Sequence, residues 1–433
     1  MAASVLASNL KATPYWWEGH DLPAHPSAGS PPERAEVVVI GSGYTGLSAA
    51  LTLARAGRQV VILDAEQPGF GCSTRNGGQV GPRFGPSFAE LSRAYGVDKA
   101  RRLKRENHAA YDYLTDLIGT EGIDCDFKTT GHLLCAHAAD RYEPAVRAAE
   151  TEQREFGIEA HAIPKAEQHR EVGSDAFHGA VLFPGGGALD PMKYHRGLLA
   201  RVLAAGATLF TGQRVTGVER DGKGFTVKLA GRSITAGDVV LATNGYTKDA
   251  TPWWQRRLIP IGSYIIATEE LDPALMAKIC PKGRMLNETR KVVYYYRPSP
   301  DNRRILFGGR VALSETDPRV SGPRLHEAMV RVWPELRDVK VTHSWMGFVA
   351  FTFAHLPHVG VQDGVHYAMG YCGNGVPRST FYGHKAALKI LGHPDGASEM
   401  DQLDFQTRPL YYGRPWFLAP SIAYYKLKDR LAA

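Results

Sequence analysis

Residues 35–64 read AEVVVIGSGYTGLSAALTLARAGRQVVILD, and this stretch decides the fold. Residues 35–40 form a mostly β-branched run, which is typical of a strand buried on both faces of a parallel sheet. Residues 47–56 are small or apolar, contain no proline and stop at Gly57, a pattern that predicts a buried helix. Residues 59–63 repeat the strand pattern. The stretch therefore predicts one strand–helix–strand unit with parallel strands.

The turn between the first strand and the helix has the spacing G-x-G-x-x-G at Gly41, Gly43 and Gly46. Gly41 permits the tight turn, Gly43 leaves room for a pyrophosphate, and Gly46 lets the helix pack closely on the strand. The N–H groups and the positive dipole end of the helix favour a diphosphate. Asp64 follows at the end of the second strand, where it can accept hydrogen bonds from ribose hydroxyls and would repel a 2′-phosphate. The pattern predicts FAD or NAD and disfavours NADP.

A second glycine-rich segment, residues 69–79 (GFGCSTRNGGQ), follows Asp64 within a few residues. A nicotinamide enzyme usually continues with further strand–helix units at this point. Ser73 or Thr74 can instead cap a helix and donate to a phosphate, and the glycines can lay backbone N–H groups against a long cofactor. This favours FAD, with an ordinary polar loop as the alternative.

Composition limits the classes of protein that the chain can form. Its 433 residues are long enough for two or three lobes, and 44% hydrophobic with 22% charged residues excludes a disordered chain. No apolar run approaches the ~18 residues that span a bilayer, so we predict no integral membrane association. The net charge is +7, but the densest basic run, residues 101–105, has acidic neighbours. That run indicates a solvated helix face rather than a nucleic-acid partner.

The cysteines argue against a disulfide framework and against a structural zinc site. The five of them are widely spaced, and none forms a C-x-x-C pair. The first ten residues lack the basic and apolar pattern of a secretory signal. We therefore predict a cytoplasmic protein with reduced thiols and no metal site.

Four segments together resemble the flavin-dependent D-amino-acid oxidase, glycine oxidase and sarcosine oxidase family. They are the fingerprint at 41–46, residues 71–79, residues 238–245 (DVVLATNG) and residues 370–376 (GYCGNGV). Residues 69–79 resemble the gamma-glutamylputrescine oxidoreductase branch of that family most closely. The resemblance covers about residues 35–391, and it implies FAD, a two-lobed fold and oxidation of a C–N bond by hydride transfer to flavin.

The resemblance implies an α/β fold in which a Rossmann-like FAD-binding domain is interleaved with an α+β substrate-binding domain built on an antiparallel sheet. Residues 1–33 are expected to be a loop-like strap whose aromatic rings at Tyr15, Trp16 and Trp17 dock on the surface. The remaining boundaries are 34–95, 161–250 and 341–395 for the FAD-binding domain, 96–160 and 251–340 for the substrate domain, and 396–433 for a C-terminal extension.

The cofactor-binding residues implied by the resemblance fall in five short segments. The first two hold the adenosine diphosphate half and run towards the flavin ring, the third meets the adenine, and the last lies near the flavin pyrimidine. They are Gly41, Gly43, Tyr44, Thr45, Gly46 and Asp64, then Ser73, Thr74, Arg75, Asn76, Gly77, Gly78 and Gln79, then Val215, then Thr243, Asn244 and Gly245, and finally Gly373, Asn374, Gly375 and Val376.

The chain departs from the family pattern at two places. Asp64 stands where Glu is commoner, which shortens the reach and keeps the chemistry. Asn374 stands where His is frequent, which puts a protonic role there in doubt. Sarcosine-type relatives carry a cysteine for covalent flavin shortly before this loop, and residues 345–348 (WMGF) contain none. The resemblance therefore implies noncovalent FAD.

Candidates on the substrate side are aromatic or basic residues. In a strand, Tyr294 and Tyr296 point to one face and Tyr295 to the other. The outer two either form an aromatic wall that attracts a cation or pack within the sheet. The candidates are Tyr264, Tyr294, Tyr296, Arg310 and Trp345.

The expected reaction is oxidation of an amine or amino acid to the imine, with oxygen as the acceptor. The first alternative is a dehydrogenase on the same fold that passes electrons to a quinone or a carrier protein. A second alternative, from a different class, is a non-catalytic flavin-binding protein.

Overall fold

The computed structural model describes residues 4–20, 29–81, 85–311 and 315–431. Its strands form sheets of nine, eight and two strands. In chain order the strands are β1 (Leu6–Lys11), β2 (Arg34–Ile40), β3 (Val60–Leu63), β4 (Gln79–Val80), β5 (His132–Cys135), β6 (His161–Ile163), β7 (Ala180–Phe183), β8 (Gly187–Ala188), β9 (Thr208–Phe210), β10 (Gly217–Asp221), β11 (Gly224–Leu229), β12 (Arg232–Leu241), β13 (Ile259–Thr268), β14 (Met285–Glu288), β15 (Tyr294–Pro298), β16 (Ile305–Gly309), β17 (Val341–Phe351), β18 (His358–Gln362) and β19 (Val365–Met369).

Ten α-helices lie in the described part of the chain. They are α1 (Tyr44–Arg55), α2 (Phe88–Tyr95), α3 (Val97–Thr120), α4 (Ala139–Phe156), α5 (Pro191–Ala204), α6 (Pro252–Gln255), α7 (Pro273–Ile279), α8 (Pro318–Val332), α9 (Gly375–Ile390) and α10 (Leu418–Leu431). None of these described helices is both long enough and apolar enough to cross a membrane.

The parallel part of the eight-stranded sheet runs β9-β3-β2-β12-β19, and it confirms the predicted strand–helix–strand unit. Val37, Val38 and Val39 of β2 are fully buried because the sheet is covered on both faces. One face packs against α1 and α5, and the other packs against a cluster that includes Trp254 and Phe405. This double coverage explains why the strand is apolar throughout rather than alternating.

Helix α1 begins at Tyr44, three residues earlier than its apolar pattern predicts, and it lies very close to the end of β2. A Cβ atom at Gly46 would stand 1.9 Å from the carbonyl oxygen of Gly41, which has a φ of +104°. Only glycine fits both positions. The contact brings the N-terminus of α1 to the carboxyl end of the parallel strands.

The nine-stranded sheet has the order β1-β17-β13-β16-β15-β14-β5-β7-β6, and α8 packs on it over an apolar core. It includes β6 and β7, which lie in the segment 161–250 that the sequence assigned to the FAD-binding domain, and β17 from the segment 341–395. The predicted boundaries therefore differ from the sheet boundaries. The physical reason is that the buried strand β7 pairs with β5, which the sequence pattern of β7 alone does not reveal.

The N-terminal segment is not wholly loop-like. Strand β1 pairs in parallel with β17 and adds an edge to the nine-stranded sheet. Trp16 follows in a short 3-10 turn and is only 1% exposed, whereas Tyr15 and Trp17 beside it are partly buried. The prolines at 23 and 26 lie outside the described residues.

The basic run at 101–105 lies in α3 and is more than a solvated face. Lys104 is buried and pairs with the buried Glu152 at 2.6 Å, while Arg101 pairs with Glu155 at 3.0 Å. The acidic partner Glu152 comes from α4, which is distant in sequence from the basic run. The run therefore holds α3 and α4 together.

A candidate cofactor and substrate site

One cavity of about 1020 Å³ lies where the two large sheets meet. Its lining includes the fingerprint turn at the end of β2 and residues of β13, β15 and β17. Its volume lies at the upper end of ordinary ligand pockets, which span roughly 300–1,000 Å³. It is therefore large enough for a long cofactor together with a small substrate.

Asp64 is held at one end of this cavity by backbone and hydroxyl donors. The N–H and the hydroxyl of Ser42 donate to Asp64 Oδ2 at 2.8 and 2.6 Å, and the N–H of Glu66 donates to Oδ1 at 3.0 Å. A carboxylate has about two acceptor sites on each oxygen, so Oδ2 is fully used and Oδ1 keeps capacity for a hydroxyl of a ribose. Ser42 is therefore a residue that the sequence analysis missed, although its place between two fingerprint glycines marked it.

Most residues that the resemblance assigned to the cofactor line the cavity. Three of them do not: Gly46 lies behind the turn, Thr74 is buried, and Gly78 packs against the carbonyl oxygen of Leu189. The lining residues are Gly41, Gly43, Tyr44, Thr45, Asp64, Ser73, Arg75, Asn76, Gly77, Gln79, Val215, Thr243, Asn244, Gly245, Gly373, Asn374, Gly375 and Val376.

The segment 71–79 is clamped from behind by the N-terminal tryptophans. The indole N–H of Trp16 donates to the carbonyl oxygen of Asn76 at 2.8 Å, and that of Trp17 donates to Thr74 Oγ1 at 2.9 Å. On the other side the Tyr44 N–H donates to Ser73 Oγ at 3.1 Å. Thr74 therefore supports the segment from behind, while Ser73 faces the cavity.

Arg75 crosses from this segment to the nine-stranded sheet. Its guanidinium lies 4.7 Å from the ring centroids of both Trp17 and Phe70, and it donates to the carbonyl oxygens of Phe70 and Met346 at 2.7 and 3.2 Å. Burial lowers the pKa of Arg75, and the rings and carbonyls hold its positive charge in place.

The residues present fit FAD, and a buried unpaired donor is the sharpest indication. Asn374 precedes α9 and lines the cavity, yet its side-chain Nδ2 has no acceptor among the described residues although it is buried. A buried donor without a partner is costly, so such an atom points to a ligand acceptor. The N-termini of α1 and α9 both open on the same cavity and add positive dipole ends.

Four of the five substrate-side candidates lie outside the cavity lining. Tyr264 and Tyr296 are buried in the core of the nine-stranded sheet, and Tyr294 packs on Phe307 of the same core. Trp345 is buried and donates to the carbonyl oxygen of Arg75 at 2.9 Å. The outer tyrosines of the strand face the core because the apolar face of helix α8 covers that side.

Tyr295 is the ring of the triplet that lines the cavity, as the alternation of the strand allows. Its hydroxyl shares a hydrogen bond of 2.9 Å with Ser263 Oγ. Burial raises the pKa of Tyr295 above its ordinary value, and the nearby Cys72 adds to this, so it stays a neutral phenol. A Cβ atom at Gly77 would meet its ring at 3.0 Å, so Tyr295 borders the cofactor segment.

Arg310, the fifth candidate, lines the cavity and is 8% exposed. Its Nη1 donates to Glu315 Oε1 at 3.0 Å, while its Nε and Nη2 have no acceptor among the described residues. Lys291 also lines this region. Among the described lining residues the only carboxylates are Asp64 and Glu66, at the end that holds the fingerprint. The charged side chains that line the chamber next to the nine-stranded sheet therefore include the cations Arg310 and Lys291, and Glu315 compensates part of the charge of Arg310.

Several lining residues were not expected from the sequence. Lys291, Val292 and Val293 precede β15, and the chain beyond residue 416 returns to the cavity. The paired aromatic residues near the C-terminus could have predicted this return, because apolar rings in a C-terminal extension are stable only when they pack against another surface. Among the described residues no group of three or more His, Cys, Asp or Glu side chains is placed to hold a metal ion.

The fold and the cavity define a class of protein, the two-domain enzymes that bind a dinucleotide at the carboxyl ends of a parallel sheet. Glycine oxidase from Geobacillus kaustophilus has this fold, with a TM-score of 0.71 at 20% identity, covering 87% of this chain and 99% of that chain. Iminodiacetate oxidase from Chelativorans sp. BNC1 superposes with a TM-score of 0.67 at 20% identity, covering 86% and 98%.

Residues 36–387 match the family described as FAD dependent oxidoreductase, and the chain belongs to this family. It is 32% identical to a probable oxidoreductase OrdL of Rhizobium meliloti over 96% of this chain and 97% of the relative. It is 30% identical to the gamma-glutamylputrescine oxidoreductase of Escherichia coli over 92% and 93%. The protein is thus an FAD-dependent oxidoreductase, and the predicted cofactor and fold class are confirmed.

Proposed function

We propose that the protein oxidises the C–N bond of an amine or amino acid to the imine, which water then hydrolyses. One observation carries the proposal: a single cavity joins the fingerprint turn to a chamber lined by Tyr295, Arg310 and Lys291, with no carboxylate among its described lining residues. When bound, FAD supplies the two-electron acceptor for such a reaction. The relatives named for gamma-glutamylputrescine, glycine and iminodiacetate support a nitrogen-bearing substrate.

The charge of the chamber favours the reactive form of the substrate. Removal of a hydride from the carbon next to nitrogen needs the nitrogen lone pair, which an ammonium ion lacks. Lys291 and the incompletely paired Arg310 disfavour a second positive charge nearby, and this lowers the pKa of a bound ammonium group. The same cations attract an anionic group elsewhere on the substrate. An amine that also carries a carboxylate therefore fits the chamber better than a free polyamine.

We propose noncovalent attachment of FAD and oxygen as the acceptor, with a quinone or carrier protein as the alternative. Cys72 and Cys372 line the cavity, but burial raises the pKa of both thiols, that of Cys72 to about 11. A protonated thiol is a poor nucleophile, which supports noncovalent binding. A cytoplasmic location is part of the proposal and is supported by five cysteines without disulfide partners.

The proposal is tested by anaerobic bleaching of the protein-bound flavin against matched ligands, namely amino acids, their decarboxylated amines and free diamines. We expect bleaching by an amine or amino acid and a preference for the carboxylate-bearing member of a pair. Rapid reoxidation in air would establish the oxidase, and reoxidation by a quinone alone would establish the dehydrogenase. Failure of every amine and amino acid to bleach the flavin would contradict the proposed reaction and favour a non-catalytic flavin-binding protein.

The role of Arg310 is tested by Arg310→Met, with Arg303→Met as the control at an exposed arginine. A charged hydrogen bond contributes about 1.5–3 kcal/mol, so KM for a carboxylate-bearing substrate should rise about ten- to hundredfold. KM for the decarboxylated amine should change little. An equal rise for both ligands would show that Arg310 does not bind the carboxylate.

A further inference from the structure

The chain beyond the family match returns to the cavity and forms part of its wall. The match ends at residue 387, whereas the lining includes Phe417, Leu418, Ser421, Ile422 and Tyr425. Residues 421 and 425 are spaced by four, as are 418 and 422, so these four positions form two adjacent stripes on one face of α10, and Phe417 immediately precedes the helix. This face is apolar except for the Ser421 hydroxyl and the Tyr425 phenol.

The segment that carries α10 is anchored before the helix begins. Tyr411 is 1% exposed and its hydroxyl donates to the carbonyl oxygen of Leu258. The ring of Phe353, a lining residue, lies 5.5 Å from the ring of Tyr411 and 6.2 Å from that of Phe417. The start of α10 is therefore fixed beside the part of the cavity wall that follows β17.

The other end of α10 is attached to the loop before β15 by a buried carboxylate. Asp429 is 8% exposed, and its two oxygens accept hydrogen bonds from the N–H groups of Lys291 and Val292, each at 3.1 Å. Both partners line the cavity. Helix α10 thus joins two separate parts of the chamber wall, and Asp429 makes the connection to the cationic part.

We propose that α10 is a specificity-determining wall of the substrate chamber, with Ile422 and Tyr425 contacting an uncharged alkyl or aryl part of the amine substrate and Asp429 fixing the helix in place. This inference rests on the proposed function for the nature of the substrate. The apolar stripe offers no charged partner, so it suits the part of the substrate remote from its carboxylate. The cationic residues before β15 would then bind the carboxylate of the ligand, and the apolar face of α10 would contact its alkyl or aryl part.

The chain offers a matched pair of substitutions within α10. Ile422 is buried and lines the cavity, whereas Leu427 is 56% exposed and does not. In Ile422→Ala we expect the ratio of kcat/KM for long-chain over short-chain amines to rise at least fivefold, through KM rather than kcat. The same ratio in Leu427→Ala should stay within twofold of the wild type. An unchanged ratio in Ile422→Ala, or equal changes in both variants, would overturn the specificity role.

A second measurement is independent of turnover. In the intact holoenzyme, Asp429→Ala removes both acceptors at Lys291 and Val292, and we expect trypsin to cleave within α10 at least five times faster, with the flavin content unchanged. Asp238→Ala serves as the control, because it breaks an ion pair with Arg58 that is remote in sequence from α10. Unchanged cleavage in Asp429→Ala would overturn the attachment of the helix. The two proposals can fail separately. If no amine bleaches the flavin of the wild type but trypsin still cleaves Asp429→Ala faster, the proposed function is contradicted and the attachment of α10 by Asp429 is supported.

Discussion

Asp64 is the residue on which cofactor affinity is expected to depend most directly. Its carboxylate is oriented by the N–H and hydroxyl of Ser42 at 2.8 and 2.6 Å, so it faces the cavity at little further entropic cost. We expect Asp64 to accept charged hydrogen bonds from the ribose of FAD, so replacing it by alanine should cost about 1.5–3 kcal/mol of binding free energy. Affinity should fall about ten- to hundredfold, and Asp64→Asn should lie between. Titration of the apoprotein with FAD measures this, and an unchanged affinity would place the ribose contact elsewhere.

His195 gives a second prediction, which concerns the loss of folding stability in acid. It is fully buried, its Nε2–H donates to the carbonyl oxygen of Ser42 at 2.8 Å, and its Nδ1 has no partner among the described residues. Burial lowers its pKa to about 4, against about 6.5 in an unfolded chain. Below pH 6.5 the unfolded state therefore binds a proton that the folded state does not.

The contribution of His195 to stability is thus fully present above about pH 6.5 and is lost as the pH falls towards 4. The loss is on the order of 1 kcal/mol per pH unit for one such group. Urea unfolding at pH 7.5, 6, 5 and 4 should show a shallower loss in His195→Gln than in the wild type. The exposed His161→Gln serves as control. An equally steep loss in His195→Gln would assign the acid sensitivity to other histidines.

At the scale of elements, the short N-terminal turn Tyr15–Trp17 positions the cofactor segment. Trp16→Phe and Trp17→Phe each remove one hydrogen bond to residues 74–76, worth about 1 kcal/mol. FAD affinity should fall about three- to tenfold in each variant. Trp254→Phe is a matched control because its buried indole N–H has no acceptor among the described residues. A loss of the same size in Trp254→Phe would show that ring volume, and not the hydrogen bond, decides affinity.

The junction between β2 and α1 gives a prediction about stability. In Gly46→Ala the new Cβ atom would stand 1.9 Å from the carbonyl oxygen of Gly41, so α1 must shift from the strand. We expect a lower unfolding temperature and loss of bound FAD. Gly119→Ala places the same methyl group in a helix with open space around it and should be neutral or stabilising. Retention of FAD and unfolding temperature in Gly46→Ala would refute the close-packing role.

Much of the fold was predictable from the sequence, because short local patterns indicate the elements that form it. The β-branched runs of β2 and β3 and the glycine spacing between them predicted the parallel strands and a candidate site at their carboxyl ends. The pairing of β7 with β5 and the burial of Trp16 were not predictable, since both depend on segments far apart in the chain. The alternation of Tyr294, Tyr295 and Tyr296 was visible, but which face meets the cavity depends on the covering helix α8.

The arrangement of the whole molecule places the dinucleotide-binding edge of one sheet against a cationic chamber on another. This arrangement underlies the central claim, oxidation of a neutral amine at its C–N bond. The test is anaerobic stopped-flow reduction of the protein-bound FAD by the best amine or amino acid, measured as a function of pH. We predict that the reduction rate rises with pH until the bound amine is neutral, with a large primary isotope effect on deuteration of the C–H. A rate that declines as the amine deprotonates, or reduction by an alcohol or hydroxy acid and by no amine, would contradict the account.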